Sequence, residues 1–305
     1  MTEAEFLQAL RALPLHPAAR GLRDDAAVLP AGDTPATVLT SDLLVEGVHF
    51  LNDDPADTVA WKLLATNLSD LAAKGAAPVG VLLGYPLGDD AWDRAFLAGL
   101  AVALKHFACP LLGGDTVRQP AGSPRFLSLT AIGHSEATPA RNGARAGDAL
   151  WVTGTIGDAG AGLAIAQATE GPPALLDRYR RPTPRLAEGR ALAAVVHAMM
   201  DVSDGLLLDA SRMAAASGLG VAINLADVPR SANLIRHAGD SRAARLAAAT
   251  AGDDYELLFA LPHGAEPPVP ATQMGRFVAE PGLVLTDAGA SLPLPAQLGF
   301  QHQGG

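Results

Sequence analysis

Four aspartates stand where apolar runs break. "VLTSD" delivers Asp42, "LLGGD" delivers Asp115, and "MMDVSDG" delivers Asp201 and Asp204. Their spacings differ, so they form no repeat. Each nevertheless ends a strand-like segment, and in α/β folds ligands bind beyond the carboxyl ends of strands. Carboxylates gathered in one place repel unless cations compensate. Short acidic side chains, with no cysteine and few histidines nearby, are the hard oxygen donors that Mg2+ selects, usually sharing it with substrate phosphates. "RDDAAVLP" adds Asp24 and Asp25, and "AGDDYELLF" adds Asp253 and Asp254, each pair ahead of an apolar run. Asp70 lies in "WKLLATNLSDLAAKGA". There Trp61, Leu64, Leu68 and Leu71 share one helical face, while Asn67, Asp70 and Lys74 share the other at i, i+3, i+7.

Each position has a plainer explanation. Asp204 precedes a helical run and could be its N-cap. Asp42 and Asp115 could cap turns, and Asn67, Asp70 and Lys74 could be a solvated helix face. It is the recurrence of the junction that points to a site. A Lys-bearing phosphate loop is excluded, because the three lysines, Lys62, Lys74 and Lys105, neither follow Gly nor precede Ser or Thr. "GTIGDAGAGLAIA" (154–166) lacks the dinucleotide-binding spacing, and its glycines read as turn and helix packing. Any phosphate chemistry must therefore lean on metal ions.

The elements that must position these residues alternate. Strands are expected at 36–42, 79–86, 110–115 and 125–135, with helices at 57–76 and 89–108. The stretch 136–148 breaks the pattern with Pro, Gly and charge. After it come a strand in "ALWVTG", a helix opening at "GDAGAGLAIAQA", helices near 174–180 and 185–198, and a helix in "DGLLLDASRMAAASG" stopped by Gly218. "GVAINL" and "DYELLFAL" read as strands, and the last 45 or so residues carry short strand signals only. This is an α/β (α+β) chain of two domains, expected at 1–138 and 139–305.

A net charge of −10 with no Lys/Arg-rich block makes nucleic acid and anionic membrane poor partners. No uncharged apolar stretch reaches membrane-spanning length. The first 16 residues read as a short amphipathic helix rather than a signal peptide, so a cytoplasmic protein is expected. Cys109 is the single cysteine, which excludes a disulfide within the chain and a Cys-based zinc site. Its neighbours in "HFACPLLGG" make it a buried core thiol.

Read in order, "RDDAAVL", "TSDLLVEGVHF", "KLLATNLSDLAAKGAAP", "LLGGDTVR", "GDALWVTGTIGDAGAGLA", "RPTPRLAEG", "DVSDGLLLDASRM" and "AGDDYELLF" resemble the thiamine-monophosphate kinase family, across roughly residues 20 to 300. The wider superfamily includes aminoimidazole ribonucleotide synthetase, selenophosphate synthetase and a hydrogenase maturation factor. The reactive cysteines usual in the last two are absent. The resemblance implies Mg2+-dependent, direct in-line transfer of the ATP γ-phosphoryl group to thiamine monophosphate, without a phosphoenzyme. It also implies a homodimer in which the mixed N-terminal sheets of two subunits form a barrel.

By motif, Asp25, Thr40, Ser41, Asp42, Asp70, Asp115, Asp201 and Asp204 match the metal set. Gly114, Asp115, Arg141 and Ser203 match the ATP contacts, and His49, Asp253 and Phe300 match the substrate contacts. The chain departs from the pattern at Arg23 and Ala251, where Gly is usual, and at Asp253, where Glu is usual. The tail "GFQHQGG" keeps Gly-aromatic but lacks the acid that follows. Two other functions are open on the residues alone. One is an amidine-forming synthetase of the superfamily; the other is a non-catalytic nucleotide or thiamine-phosphate sensor.

Overall fold

The computed structural model describes residues 16–32, 34–120, 122–167 and 170–301, together with Gln8 and Arg11. Apart from those two residues, which are helical, the expected N-terminal helix lies outside the described residues. The first half builds a five-stranded sheet from β1 (Ala27–Ala31), β2 (Thr34–Val45), β3 (Ala77–Leu87), β4 (Leu111–Arg118) and β5 (Phe126–Ser135). Their order is β1-β2-β5-β3-β4, antiparallel except for the parallel β3–β4 pair. Helices α1 (Ala56–Ala73) and α2 (Asp90–His106) cover one face, and their apolar residues form a core with Val38, Leu44, Val81, Leu127 and Leu129. Cys109 is fully buried in this core, where burial pushes its thiol up to about 11.

The second half holds β6 (Ala149–Thr153), helices α3 (Asp158–Ala166), α4 (Pro173–Arg180) and α5 (Leu186–Leu192), β7 (Ala198–Asp201), helix α6 (Leu206–Ala216) and β8 (Gly220–Asn224). Helices α7 (Ala232–Ala238) and α8 (Arg242–Thr250) follow, then β9 (Leu257–Leu261), β10 (Ala271–Val278), β11 (Gly282–Asp287) and β12 (Ala290–Leu292). The seven strands run in the order β12-β11-β8-β10-β6-β9-β7. Only β8–β11 is parallel.

Two local expectations change. The helix expected over 185–198 ends at Leu192, and "AMMD" becomes β7, paired antiparallel with β9 from Ala198↔Ala260 to Asp201↔Leu257. Periodicity cannot separate a buried apolar strand from a buried helix segment, and pairing with β9 decides it. The strand expected over "DYELLFAL" begins only at Leu257. The residues before it form a tight loop, in which Asp253 and Tyr255 take left-handed backbone angles (φ 67° and 51°).

Helix α1 joins the two halves. Of its 18 residues all but Asp57, Trp61 and Asp70 are buried, and those three are partly buried, as expected of a helix enclosed on all sides. Its Val59–Leu71 residues fill the first core, while Ala72 and Ala73 belong to a second cluster with Trp151, Leu192, Met199 and Phe259. Helix α5 crosses it closely enough that a Cβ on Gly189 would lie 2.1 Å from the Ala72 carbonyl oxygen, so only glycine fits there. No helix among the described residues is long and apolar enough to cross a membrane.

Candidate active site

A cleft of about 520 Å³ is walled by both halves of the chain. The first half contributes Asp42 and Leu44 of β2, His49 from the turn after it, and Thr66 and Asp70 of α1. The second contributes the N-terminal turn of α3, the β7–α6 junction with Asp201, Ser203 and Asp204, the loop 250–255, and Gly299 and Phe300 near the chain end.

The polar face of α1 supplies the floor, and it is not the solvated face that spacing alone allows. Asn67 and Lys74 are fully buried. The Asn67 side-chain carbonyl accepts from the Asp42 amide at 3.0 Å, which ties the helix to β2. Ser69 donates to Asp201 Oδ2 at 2.6 Å, and Thr40 donates to Asp70. Burial pushes the Asp42 carboxyl up to about 6, with help from the charge of Asp25. Burial, then Asp25, push Asp201 up to about 8, against the hydrogen bond from Ser69. Asp70 is raised well above the carboxylate range by burial and by the charges of Asp42, Asp201 and Asp25. These four carboxylates therefore sit in one another's field, in a space too dry to screen them.

Protein cations already hold part of this charge. Burial opposes ionisation of Asp25, but Lys74 (2.8 Å) and Arg141 outweigh it and hold the carboxyl below its usual range. Arg212 pairs with Asp204 and reaches Asp209 at 3.2 Å. Lys62 pairs with Asp253 at 2.6 Å. Among the described residues, no three His, Cys, Asp or Glu side chains are drawn close enough to hold an ion as they stand. The donor set of Asp25, Thr40, Asp42, Asp70, Asp201 and Asp204 nevertheless fits Mg2+. It offers only hard oxygens, and within it Asp42, Asp70 and Asp201 repel one another in want of a cation.

Asp204 does not cap α6. The N-cap of the helix is Gly205 (φ 121°), and Asp209, in the first turn, reaches back to accept the amides of Ser203 (3.1 Å) and Asp204 (3.0 Å). That leaves the Asp204 side chain directed to the cleft and Arg212. Asp42 and Asp115 lie within β2 and β4 rather than at turns. The glycines of "GTIGDAGAGLAIA" pack: Gly160 lies against Ala251, and a Cβ on Gly162 would be 2.1 Å from the Leu175 carbonyl.

Of the residues singled out by sequence, the cleft is lined by Asp42, His49, Asp70, Asp201, Ser203, Asp204, Asp253 and Phe300. Asp25, Thr40 and Arg141 adjoin it through the contacts just described. Ser41, Gly114 and Asp115 are not brought in. Ser41 is exposed and bonds to Leu129 O and Thr130 of β5. Asp115 pairs in register with Gly84 of β3, which pairs with Ser128 of β5, so it lies one residue off and three strands across from Asp42. By strand alternation it occupies the opposite sheet face. Gly114 packs so tightly on β3 that a Cβ would be 1.9 Å from Leu83 O.

Sequence reasoning missed the cations Lys62, Lys74 and Arg212, and also Asp209. The available signal was scarcity: of the three lysines, Lys62 and Lys74 both fall in the largely apolar stretch 57–76, which calls for a buried counter-ion.

The fold and site define a class. Family descriptions of the AIR synthase related protein match the chain in two parts, the N-terminal domain at residues 23–135 and the C-terminal domain at 145–288. Thiamine-monophosphate kinase of Caulobacter vibrioides is 39% identical over 94% of this chain and 86% of its own length. That of Salmonella typhimurium is 41% identical over 79% of this chain and 76% of its own. The solved complex of AaThiL with AMPPCP and TMP superposes with a TM-score of 0.82 at 29% identity, covering 95% of this chain and 96% of that one. The chain belongs to the thiamine-monophosphate kinase family.

Proposed function

We propose that this protein transfers the γ-phosphoryl group of ATP to thiamine monophosphate, giving thiamine diphosphate and ADP. The observation that carries this reading is the cleft itself. One cavity joins a mutually repelling set of carboxylates to a recess bearing His49, Asp253 and Phe300. Both reactants are phosphates, so their approach needs positioning and charge neutralisation more than covalent chemistry from the protein. Asp25, Thr40, Asp42, Asp70, Asp201 and Asp204 would hold Mg2+, which neutralises the phosphates when bound. Arg141 and Ser203 contact the nucleotide, and His49, Asp253 and Phe300 contact the thiamine moiety. Attack is in line, with no phosphoenzyme. Ser41, Gly114 and Asp115, which the resemblance adds to the metal and ATP sets, lie outside this cleft and take no part in the reading.

The division at 138/139 follows the break between β5 and β6. The outer face of the first sheet exposes Leu43, Leu82, Val117 and Phe126, each by more than two-fifths. A second copy packing on that face would close the barrel of a homodimer. A cytoplasmic location suits the substrates.

Purified protein given ATP, Mg2+ and thiamine monophosphate is expected to release ADP and thiamine diphosphate in equal amounts. Absence of thiamine diphosphate would exclude the reading, and release of ADP and inorganic phosphate on addition of a formylglycinamidine would favour an amidine-forming synthetase. Mg2+ is also expected to raise Tm, and to raise it more at pH 8 than at pH 6. Asp42 and Asp201 have folded-state pKa values raised from 3.8 to about 6 and about 8, so the stability given by their protonated forms is lost as pH rises from 3.8 to those values, and between pH 6 and 8 the loss comes from Asp201. A cation offsets the loss. Equal Mg2+ shifts at both pH values in thermal melts would contradict the assignment.

A further inference from the structure

Lys62 has no part in the reading above, yet it sits behind the recess that the substrate contacts define. Its side chain is 2% exposed. The ammonium donates to the backbone carbonyl of His49 at 2.9 Å and to Asp253 Oδ2 at 2.6 Å, and it lies 4.2 Å from the centre of the Tyr179 ring. Tyr179 is fixed in turn by its hydroxyl, which donates to Asp54 at 2.8 Å. Two walls of the recess, one from each half of the chain, therefore meet on one buried cation.

Asp253 is held from the other side as well. The Tyr255 hydroxyl donates to its Oδ1 at 3.0 Å, and both residues occupy the left-handed region. Non-glycine residues keep such backbone angles only where the surroundings over-determine them. The Asp253 side chain remains 30% exposed to the cleft, and each carboxylate oxygen has a second lone pair to offer. Its charge, however, is already matched by Lys62. A paired carboxylate is a poor counter-ion for a fixed cation but a good acceptor for a neutral N–H. Thiamine monophosphate carries both groups, a quaternary thiazolium and the amine of its aminopyrimidine.

We propose that Lys62 is the positioning residue of the acceptor recess. It fixes the spacing between His49 and Asp253, and by neutralising Asp253 it makes that carboxylate a hydrogen-bond acceptor for the aminopyrimidine amine rather than a counter-ion for the thiazolium. The inference rests on the kinase reading, and the two fail differently. Absence of thiamine diphosphate formation by the unmodified enzyme removes the kinase reading and this proposal with it. Normal turnover with unaffected variants removes this proposal alone.

The test is steady-state kinetics on the full chain with each substrate varied. Lys62→Met is expected to raise KM for thiamine monophosphate roughly tenfold or more, as for loss of a charged hydrogen bond. It should leave kcat within about threefold and KM for ATP within about twofold, the signature of lost binding rather than lost chemistry. Lys62→Arg should recover much of the loss. The unmodified enzyme should discriminate at least about tenfold in kcat/KM against the analogue in which a carbonyl replaces the amine, and Lys62→Met should lose most of that discrimination. An unchanged KM for thiamine monophosphate in folded Lys62→Met overturns the proposal. A parallel rise in KM for ATP also overturns it, since that marks a merely structural role. If Lys62→Met does not fold, Tyr255→Phe decides: it removes one donor to Asp253, and a several-fold rise in KM for thiamine monophosphate alone is expected. No rise overturns the proposal.

Discussion

Asp70→Asn is expected to lower turnover by at least about 10²–10³-fold, the scale of losing one preorganised electrostatic group, while raising the melting temperature of the metal-free protein. The two effects have one origin. Asp70 is pushed far above its ordinary pKa by burial and then by the charges of Asp42, Asp201 and Asp25. Such a carboxyl costs stability when ionised, and the cost grows as pH rises. Asparagine keeps an oxygen for the Thr40 hydroxyl and removes the charge. The gain in Tm should therefore be larger at pH 8 than at pH 6, and Mg2+ should stabilise the variant less than the parent. Functional sites commonly trade stability for activity in this way. Thermal melts and an ADP-release assay on the same preparation check both halves. Lower stability with retained activity would show that Asp70 is only a packed helix residue.

The second large effect runs the other way. Lys74→Met is expected to cost about 3–5 kcal/mol, the penalty for stripping one partner from a buried ion pair. Lys74 is fully buried, bonds to Asp24 at 2.6 Å and Asp25 at 2.8 Å, and donates to the carbonyls of Pro139 and Met199. Methionine fills the stem's volume but leaves two enclosed carboxylates short of a cation. Asp25 loses part of what holds its pKa down, and a depressed carboxyl pKa gives stability that is present above the unfolded value and lost as pH falls. The deficit should therefore narrow toward acid pH. Urea unfolding gives the magnitude. The exposed Arg94–Asp90 pair is the control, and Arg94→Ala should change nothing measurable.

Most of the element order was legible because apolar runs and breakers alternate cleanly. The strands at 36–42 and 79–86 and the helices at 57–76 and 89–108 all lie within a few residues of their observed ends. The helix expected over 185–198 overran Leu192 because "AAVVHA" holds no Gly or Pro to stop it. Helices α7 and α8 were not anticipated; they are only 7 and 9 residues long, about two turns each. The face of α1 with Asn67, Asp70 and Lys74 looked solvated because sequence does not show that a second sheet closes over it. The aspartates themselves were visible through their junctions. Their partners were not: Lys62 meets Asp253 across the interface between the halves, Lys74 meets Asp24 and Asp25 from a distant part of the first half, and Arg212 reaches back along its own half to Asp204. Asp204 looked like a cap because it stands just before a helical run, but the N-cap is Gly205, with no side-chain cap bond.

The enclosure of α1 also sets where the protein can breathe. Amides exchange with solvent water when their hydrogen bonds open, and a helix packed into the cores of both halves opens only with global unfolding. In deuterium-exchange experiments the amides of Leu63–Leu71 should thus be among the last to exchange, although Thr66 and Asp70 line a cleft wide enough for small molecules. The floor of the site is its most rigid part. With His49 and Asp253 also anchored on Lys62, entry and exit of reactants must then be borne by the rim away from that anchor, where Gly299 and Phe300 line the cleft.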